Sequence, residues 1–169
     1  MQIQIRKGNT KDLDSFLHLL QDVRQQMEHK EWFYLDPPED VRRMMEDGSM
    51  QLWVAMDGMR MAAAFDMILP GLNPGNYGYD LNFSDRNLLR VINMDTAAVH
   101  PDYRGLGLQR RLMQEAEMEI RKMGRYILLC TIHPENRFSL NNALKQGYRI
   151  ERKLCKYGSV RYILRKDIE

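Results

Sequence analysis

The sequence has few cysteines, no long apolar run and almost no net charge, and each of these shortages excludes a class of protein. Two cysteines in 169 residues, Cys130 and Cys155, cannot build a disulfide framework and lack the spacing of a metal knuckle. We therefore expect free thiols and no metal site. No apolar run reaches the roughly 18 residues that span a bilayer, and the first residues do not resemble a signal peptide, so we expect a cytoplasmic protein with no membrane partner.

The charge balance argues against nucleic-acid binding. The chain has 25 Lys and Arg against 23 Asp and Glu, which gives a net charge of +2, whereas DNA-binding domains usually present a strongly basic face. Hydrophobic residues make up 44 % and charged residues 28 % of the chain, which is typical of a folded globular protein. Because this length suits one domain with its own core, we predict a single domain over residues 1–169 and no DNA partner.

The first part of the chain predicts a strand, two helices and a hairpin. Apolar residues recur with helical spacing after Thr10. Asp36 followed by Pro37 has the pattern of a helix N-cap and a first helical residue. Asp57-Gly58 between two apolar runs indicates a tight turn. The predicted elements are a strand at 2–6, helices beginning near Thr10 and at Asp36, and strands at 50–56 and 59–68.

A segment rich in glycine, proline and asparagine follows, from Leu69 to about Arg90. These residue types disfavour regular structure, so we predict a long irregular loop. Long loops inside compact domains are uncommon and are often functional. Tyr77, Tyr79 and Phe83 would suit a lid over a substrate, although a loop without a role explains the segment equally well.

The last part of the chain alternates strands and helices and ends in a hairpin. Gly147 has the position of a left-handed helix C-cap, and Tyr157-Gly158 marks the final turn. The central strand-helix-strand crossover among hairpins indicates an α/β or α+β fold with a mixed sheet. The predicted elements are strands at Val91–Val99, Tyr126–Ile132, 148–155 and 159–164, and helices at 107–123 and 137–146.

The segment 99–112 joins a predicted strand to a predicted helix and carries the main functional signal. Gly105 and Gly107 let the main chain approach a ligand closely and adopt positive φ. The start of a helix has N–H groups without partners and a partial positive charge, which together favour an anion such as a pyrophosphate. Three arginines add positive charge to this segment: Arg104, Arg110 and Arg111.

Two common nucleotide-binding motifs fit this segment poorly. A P-loop needs a Lys-Ser/Thr pair after the second glycine, where Leu108-Gln109 stand here. A dinucleotide fingerprint needs three glycines and an acidic residue at the end of the next strand, and this sequence meets neither requirement. A tight turn with solvated arginines and no ligand stays open on these residues alone.

Two motifs in combination resemble the GNAT superfamily of acyltransferases. Asn136-x-x-Ser139 followed by Gly147-Tyr148 is similar to its second signature. The acyl-CoA signature, written Arg/Gln-x-x-Gly-x-Gly/Ala, is resembled by Val99-x-Pro101-x-Tyr103-Arg104-Gly105-x-Gly107-Leu108. The resemblance implies a mixed, mostly antiparallel sheet of about seven strands flanked by about four helices, and acetyl-CoA as the donor substrate without a metal.

The resemblance also implies which residues hold the cofactor. Main-chain groups of Ala97 and Val99 would bind the acyl and pantetheine part, and backbone amides from Arg104 to Gln109 would bind the pyrophosphate. The side chain of Asn136 would contact the pantetheine arm or the phosphates. The cofactor-binding residues implied in this way are Ala97, Ala98, Val99, Arg104, Gly105, Leu106, Gly107, Leu108, Gln109, Arg110, Asn136 and Ser139.

The chain departs from the family pattern at two positions. Gln109 stands where Gly or Ala is usual, and its side chain would either crowd a phosphate or donate a hydrogen bond to it. Ala143 stands where many members have a tyrosine that protonates the departing thiolate. Since ordinary thiols have a pKa of about 8.5, we expect this loss to lower the rate of transfer without abolishing it.

Asp95 is the predicted candidate for the general base. It precedes Ala97 by two residues, so the alternation of a strand places both side chains on one face. Attack on a thioester requires a neutral amine, and a carboxylate at this point could take its proton. Anchoring of a cationic amine and an ordinary ion pair stay open as alternative roles.

The resemblance indicates an N-acyltransferase that transfers acetyl to a small-molecule or peptide amine by direct attack in a ternary complex. Two alternatives stay open: a CoA-binding module with reduced or no catalysis, and an acetyltransferase that modifies a protein or an aminoacyl-tRNA. We also leave a homodimer open.

Overall fold

The computed structural model describes residues 2–124 and 126–169. In this part of the chain, strands β1 to β7 are Ile3–Lys7, Met50–Asp57, Arg60–Ile68, Val91–Val99, Tyr126–Ile132, Arg149–Lys156 and Ser159–Ile168. Helices α1 to α5 are Leu13–Gln25, Pro38–Glu46, Asp85–Leu88, Leu108–Met123 and Arg137–Lys145. Short 3-10 helices occur at Thr10–Asp12, Lys30–Trp32, Tyr77–Leu81 and Pro101–Tyr103. β4 and β5 have the predicted bounds, and most of the other predicted elements are present with shifted ends.

The seven strands form a mixed sheet. Hydrogen-bonded neighbours follow the order β1-β2-β3-β4-β5-β7-β6. The pair β4–β5 is parallel, with a register from Val91↔Ile127 to Asn93↔Leu129. The pairs β1–β2, β2–β3, β5–β7 and β6–β7 are antiparallel. The predicted α/β fold with a mixed, mostly antiparallel sheet is therefore confirmed.

The chain forms two compact units, each built from two segments. The first unit comprises Met1–Ile68 and Asp95–Glu119, and the second comprises Leu69–Met94 and Ile120–Glu169. The chain passes from one unit to the other after β3, within β4 and again within α4. The expectation of a single domain over residues 1–169 stays a prediction.

The core of the first unit lies between α1 and the strands β2 and β3. Helix α1 places Leu13, Phe16, Leu20 and Val23 in this core, as its apolar spacing predicts. The strands contribute alternating side chains to the same cluster. Its strand members are Met50, Leu52, Val54, Met61, Ala64 and Ala98.

The hairpin between β2 and β3 turns one residue later than predicted. Asp57 still pairs with Arg60, so the two loop residues are Gly58 and Met59 rather than Asp57 and Gly58. Gly58 has a φ of 58° and occupies the first loop position, where a tight hairpin favours positive φ.

The predicted N-cap of α2 is wrong by one residue. Helix α2 begins at Pro38, its N-cap is Pro37, and no side chain caps it. Asp36 therefore lies outside the helix and is half-buried. Its carboxylate caps no N–H of the helix and interacts electrostatically with Asp95 and with Asp40 in the first turn.

The predicted irregular loop from Leu69 to Arg90 is also partly wrong, because it contains a 3-10 helix and the short helix α3. Asn76, only 1 % exposed, organises this segment. Its side-chain amide donates to the carbonyls of Gly71 at 2.7 Å and Leu88 at 3.0 Å, and its Oδ1 accepts from the Gly78 N–H at 2.8 Å. Such a buried amide supplies the hydrogen bonds that the surrounding chain would otherwise lack.

Tyr77 belongs to the core of the second unit, which excludes it from a lid. It packs with the strand residues Ile127 and Leu129, and its hydroxyl lies 3.1 Å from that of Tyr157. Tyr157 and Gly158 form the loop of the final hairpin with φ values of 56° and 72°, which confirms the predicted turn. No helix in the described ranges is long and apolar enough to cross a membrane.

Candidate active site

The end of β4 leads into a compact turn that fixes the start of the glycine-containing loop. The His100 N–H donates to the carbonyl of Ala62 on β3 at 2.9 Å. The Tyr103 N–H then donates to the His100 carbonyl at 2.9 Å, and the Arg104 N–H to the Pro101 carbonyl at 3.2 Å. The main chain up to Arg104 is therefore held by its own hydrogen bonds.

Side chains from the β2–β3 hairpin hold the same turn from the other side. The Tyr103 hydroxyl donates to Asp57 Oδ2 at 3.0 Å, and Arg60 forms an ion pair with Asp102 at 2.9 Å. The Arg60 guanidinium also lies 5.3 Å from the centre of the Tyr103 ring. Sequence reasoning predicted none of these contacts, because the residues become neighbours only when β3 lies beside the turn.

The loop that follows the turn is open. Gly105 and Gly107 have φ values of 81° and 67°, a region that other residues rarely adopt. No heavy atom lies within 4 Å of the position that a Cβ would take at either glycine. Residues Arg104, Gly105, Leu106 and Gly107 are all exposed. The main chain here is thus accessible to a ligand from outside.

The first turn of α4 offers free hydrogen-bond donors to the same space. The Arg111 N–H donates to the Gly107 carbonyl at 3.1 Å, so the N–H groups of Leu108, Gln109 and Arg110 precede the first hydrogen bond of the helix and have no helical acceptor. Leu108 is buried and anchors this turn. Gln109 is half-buried and Arg110 is exposed.

The arginines complete a donor set that suits an anion. Arg104, Arg110 and Arg111 are exposed, and none of them forms an ion pair with another residue in the described part of the chain. Positive φ glycines, free amides at a helix start and unpaired guanidinium groups are the features that bind a phosphate or pyrophosphate. The residues present therefore fit the diphosphate of coenzyme A.

The last residues of β4 alternate between the core and the opposite face. Ala98 is 1 % exposed and belongs to the core of the first unit, while Ala97 and Val99 are half-buried. Alternation along the strand then places Ala97 and Val99 on the face opposite to that core. The parallel ladder with β5 has its last pair at Asn93, earlier on the same strand.

A cluster of carboxylates lies beside Asp95, within the first unit. Burial, together with the charges of Asp95 and Asp36, raises the pKa of Asp66 well above its ordinary value. Burial also raises the pKa of Asp36 to about 6, with smaller contributions from Asp95 and Asp40. We call Asp36, Asp66 and Asp95 the carboxylate cluster.

Sequence reasoning found only Asp95 of this cluster. It assigned Asp36 to a helix cap and gave Asp66 no role. A signal for Asp66 was present, because it is a lone carboxylate near the end of the otherwise apolar strand β3, with Ala64, Phe65 and Met67 around it. An isolated charge in a buried strand needs a partner or a function.

The second unit contains the remaining predicted cofactor residues. Asn136 is the N-cap of α5, and its Oδ1 accepts a hydrogen bond from the Ser139 N–H at 3.3 Å. Ala143 is 1 % exposed within the same helix. Cys130 on β5 is buried, which raises the pKa of its thiol to about 12 and disfavours a nucleophilic role. Among the described residues, no group of three or more His, Cys, Asp or Glu side chains could hold a metal ion.

A model of the acetyltransferase (GNAT) family matches residues 18–148. The chain belongs to this family. The match contains the whole segment 99–112 and extends to Tyr148, so both motifs lie inside it. No curated protein matches the sequence.

Solved structures of the family have the same fold at low sequence identity. An acetyltransferase of the GNAT family from Streptococcus pneumoniae has a TM-score of 0.77 and 16 % identity, with 99 % of this chain and 100 % of that chain covered. The putative acetyltransferase yncA from Salmonella typhimurium, solved with its cofactor acetyl-CoA, has a TM-score of 0.74 and 14 % identity, with 99 % and 94 % covered. The ribosomal-protein-S18-alanine N-acetyltransferase from Escherichia coli has a TM-score of 0.73 and 16 % identity, with the same coverage of 99 % and 94 %.

Proposed function

We propose that this protein transfers an acetyl group from acetyl-CoA to an amine by direct attack in a ternary complex. The observation that carries the proposal is the open loop of Gly105 and Gly107, which precedes free amides at the start of α4 and lies among unpaired arginines. Membership in an acetyltransferase family and the similarity of the fold to an acetyl-CoA-bound structure support the choice of donor.

The proposed cofactor contacts divide by chemistry. Backbone amides from Arg104 to Gln109 would bind the pyrophosphate, with the Arg110 side chain as a counter-charge. Main-chain groups of Ala97 and Val99 would bind the acyl and pantetheine part. The Asn136 side chain uses its oxygen to cap α5, so its NH₂ group would be the part that contacts the cofactor.

Bound acetyl-CoA would supply a thioester, in which the acyl carbon is activated and the thiol is the leaving group. Attack by the amine nitrogen forms the new C–N bond and breaks the C–S bond. Asp95 takes the proton that the nitrogen loses, and a main-chain N–H of Ala97 or Val99 stabilises the negative charge on the carbonyl oxygen. Ala143 offers no proton to the thiolate, whose ordinary pKa of about 8.5 lets it leave unprotonated.

The acceptor in this proposal is a small-molecule or peptide amine. The carboxylate cluster lies beside the strand that would hold the acyl group, and its negative charges would repel the phosphates of an RNA acceptor. A cationic amine is attracted by the same charges. The cluster therefore favours a small-molecule or peptide amine over the RNA-linked amine of an aminoacyl-tRNA.

Substitution of Gly107 tests the proposal. Gly107→Trp places a large side chain in the space of the diphosphate, and we expect calorimetry to show at least about a 100-fold loss of CoA affinity, as for several lost charge-assisted hydrogen bonds. Gly158→Trp is the matched control, since Gly158 also has positive φ with no heavy atom within 4 Å of a Cβ. The control should bind CoA normally.

Two results would contradict the proposal in different ways. Unchanged CoA affinity in a folded Gly107→Trp protein would remove the loop from the binding site. Normal CoA binding by the wild-type protein without thiol release from acetyl-CoA on any amine would identify a CoA-binding module without catalysis.

A further inference from the structure

The residues that close the β2–β3 hairpin carry opposite charges, and each contacts the turn after β4 rather than the other. Asp57, the last residue of β2, lies directly opposite Arg60, the first residue of β3. Opposite charges at such positions usually attract each other across the two strands. In the described part of the chain, however, the ion pair of Arg60 is with Asp102, and the Asp57 carboxylate accepts a hydrogen bond from Tyr103. Both charges therefore act on the turn that precedes the glycine-containing loop.

The hydrogen bond between Tyr103 and Asp57 is the stronger of the two contacts. Tyr103 is 5 % exposed, and its hydroxyl donates to Asp57 Oδ2 at 3.0 Å. Burial raises the pKa of Tyr103, and the hydrogen bond to Asp57 raises it further, so the phenol keeps its proton and stays a donor. The ion pair between Arg60 and Asp102 joins side chains that are more than half exposed. It should contribute less, because water and salt screen it.

These contacts limit the part of the loop that is left without support. The turn residues 100–104 are joined by their own main-chain hydrogen bonds, and Leu108 is buried at the start of α4. Residues 105–107 lie between these two supported ends. Because glycine loses more conformational freedom on ordering than any other residue, a loop with two glycines binds a ligand more tightly when both of its ends are already held.

Loss of the contacts would lengthen the unsupported part. Residues 101–104 would then depend on the hydrogen bonds of one short 3-10 turn and on the packing of the Tyr103 ring. Short 3-10 turns have poor hydrogen-bond geometry, so a larger fraction of the molecules would have the loop in other conformations. A ligand that needs one conformation binds more weakly, in proportion to the fraction of molecules that has it.

We propose that Asp57 and Arg60 are positioning residues for coenzyme A, because through Tyr103 and Asp102 they hold the loop 104–110 in the conformation that binds the diphosphate. The proposal rests on the proposed function, in which the backbone amides of that loop bind the diphosphate. Neither Asp57 nor Arg60 is among the groups proposed to contact the cofactor. The β2–β3 hairpin then sets part of the cofactor affinity from outside the binding site.

Removal of the hydrogen bond between Tyr103 and Asp57 tests the larger contribution. Tyr103→Phe keeps the ring and Asp57→Ala removes the acceptor, and calorimetry should show that each lowers the affinity for CoA by about 10-fold, as for one charge-assisted hydrogen bond. The double variant should bind CoA about as tightly as the weaker single variant, because both substitutions break the same bond. Tyr103→Phe is the second arm in case Asp57→Ala fails to fold, since it removes a single oxygen atom.

Substitution of Arg60 tests the smaller contribution. Arg60→Gln should lower the affinity for CoA by about 3-fold, as for an exposed ion pair. Arg43→Gln is the matched control, since Arg43 also forms an exposed ion pair at 2.9 Å in the same unit, with Asp40, and it should bind CoA normally. In the Tyr103, Asp57 and Arg60 variants, KM for acetyl-CoA should rise while kcat at saturating acetyl-CoA stays within about 2-fold of the wild-type value.

Amide exchange in the free protein measures the same effect without a ligand. The N–H groups of Tyr103 and Arg104 donate hydrogen bonds inside the turn. We expect their hydrogen–deuterium exchange to become about 10-fold faster in Tyr103→Phe and Asp57→Ala, because the turn opens more often. Exchange at Tyr77–Leu81 should stay at the wild-type rate.

The outcomes separate the two proposals. Normal CoA affinity in folded Tyr103→Phe and Asp57→Ala proteins, with or without a lower Tm, would overturn the positioning role while the CoA site stands. If the wild-type protein binds no CoA, the proposed function fails, and faster exchange of Tyr103 and Arg104 in the variants would still support the hold of the hairpin on the loop. Unchanged exchange in that case would overturn the positioning role as well.

Discussion

The loop 104–110, with its two glycines and its arginines, lies in the same unit as the carboxylate cluster, yet the two regions are built in opposite ways. The loop consists of consecutive residues whose conformation depends on two glycines and the start of a helix. The cluster consists of three residues that are distant in the sequence and influence one another's ionisation only in the folded chain. The loop is open and lies among exposed arginines, whereas Asp66 is buried and its pKa is raised well above the ordinary value.

Under the proposed function, this difference corresponds to a division of work between cofactor and acceptor binding. A local loop of main-chain donors suits a cofactor that is common to a whole family. A tertiary cluster of side chains suits an acceptor that differs between members, because single substitutions change it without disturbing the fold. If the division is real, substitutions in one region should leave ligand binding in the other region intact.

The largest expected effect is that of Asp95→Asn, which tests whether transfer and cofactor binding are separable. Loss of a general base lowers kcat by about 100-fold or more, and the remaining activity should no longer follow the ionisation of that base. The affinity for acetyl-CoA should stay at the wild-type level. Steady-state rates across pH, together with calorimetry, measure both quantities. An unchanged pH–rate profile would remove Asp95 as the base, and a parallel loss of CoA affinity would break the division.

An intermediate effect is expected from the ionisation of Asp36. Its pKa of about 6 reflects burial first, then the charges of Asp95 and Asp40; Asp66 on β3 also faces it. As the pH rises through 6, Asp36 becomes negative and should attract a cationic amine acceptor more strongly. We expect the affinity of the CoA-loaded protein for butylamine to rise by about 10-fold between pH 5 and pH 7.5, the equivalent of about 1.4 kcal/mol.

Calorimetry of butylamine in that pH range checks this expectation, with Asp36→Asn as the control. The control should bind the amine weakly and with little change across the same range. Affinity that falls as the pH rises, or a control that keeps the wild-type slope, would contradict the role of Asp36.

The smallest effect is expected on stability. The folded state raises the pKa of Asp66, so it holds the proton more tightly than the unfolded state and loses stability as the pH rises above the ordinary pKa of about 4. Asp66→Asn removes this cost, and its amide can donate to the neighbouring carboxylates. We expect Tm at pH 8 to increase by about 2–4 °C, equivalent to about 1 kcal/mol.

Thermal unfolding at pH 8 and at pH 4 checks the sign of this effect. Near pH 4 the carboxyl is protonated in the folded state and about half protonated in the unfolded state, so the variant should gain little. A lower Tm at pH 8 would show that Asp66 stabilises the protein and would weaken the contrast between the cluster and the loop.

The same contrast explains which features could be predicted from the sequence. The bounds of β4 and β5 and the positive φ of Gly105 and Gly107 depend on local patterns, and all of these predictions are confirmed. Asp36 was predicted as a helix cap because an aspartate before a proline has that local pattern. The structure differs because its carboxylate belongs to a tertiary cluster that no local window contains.

In the segment 69–90, local composition predicts less regular structure than the folded chain has. Its glycines, prolines and asparagines predict irregular chain, but one of those asparagines is a buried organising residue. Asn76 can hold two short helices only because the carbonyls of Gly71 and Leu88 are brought to its side chain by the fold. Composition describes the tendency of a segment, and the hydrogen bonds made after folding decide its structure.

The most direct test of the account is hydrogen–deuterium exchange of the backbone amides with and without coenzyme A. Cofactor binding should slow exchange in the segment 104–110, with no comparable change at Tyr77–Leu81. Protection in another segment, or bound coenzyme A with unchanged exchange from 104 to 110, would contradict the claim that free amides at the start of α4 hold the diphosphate.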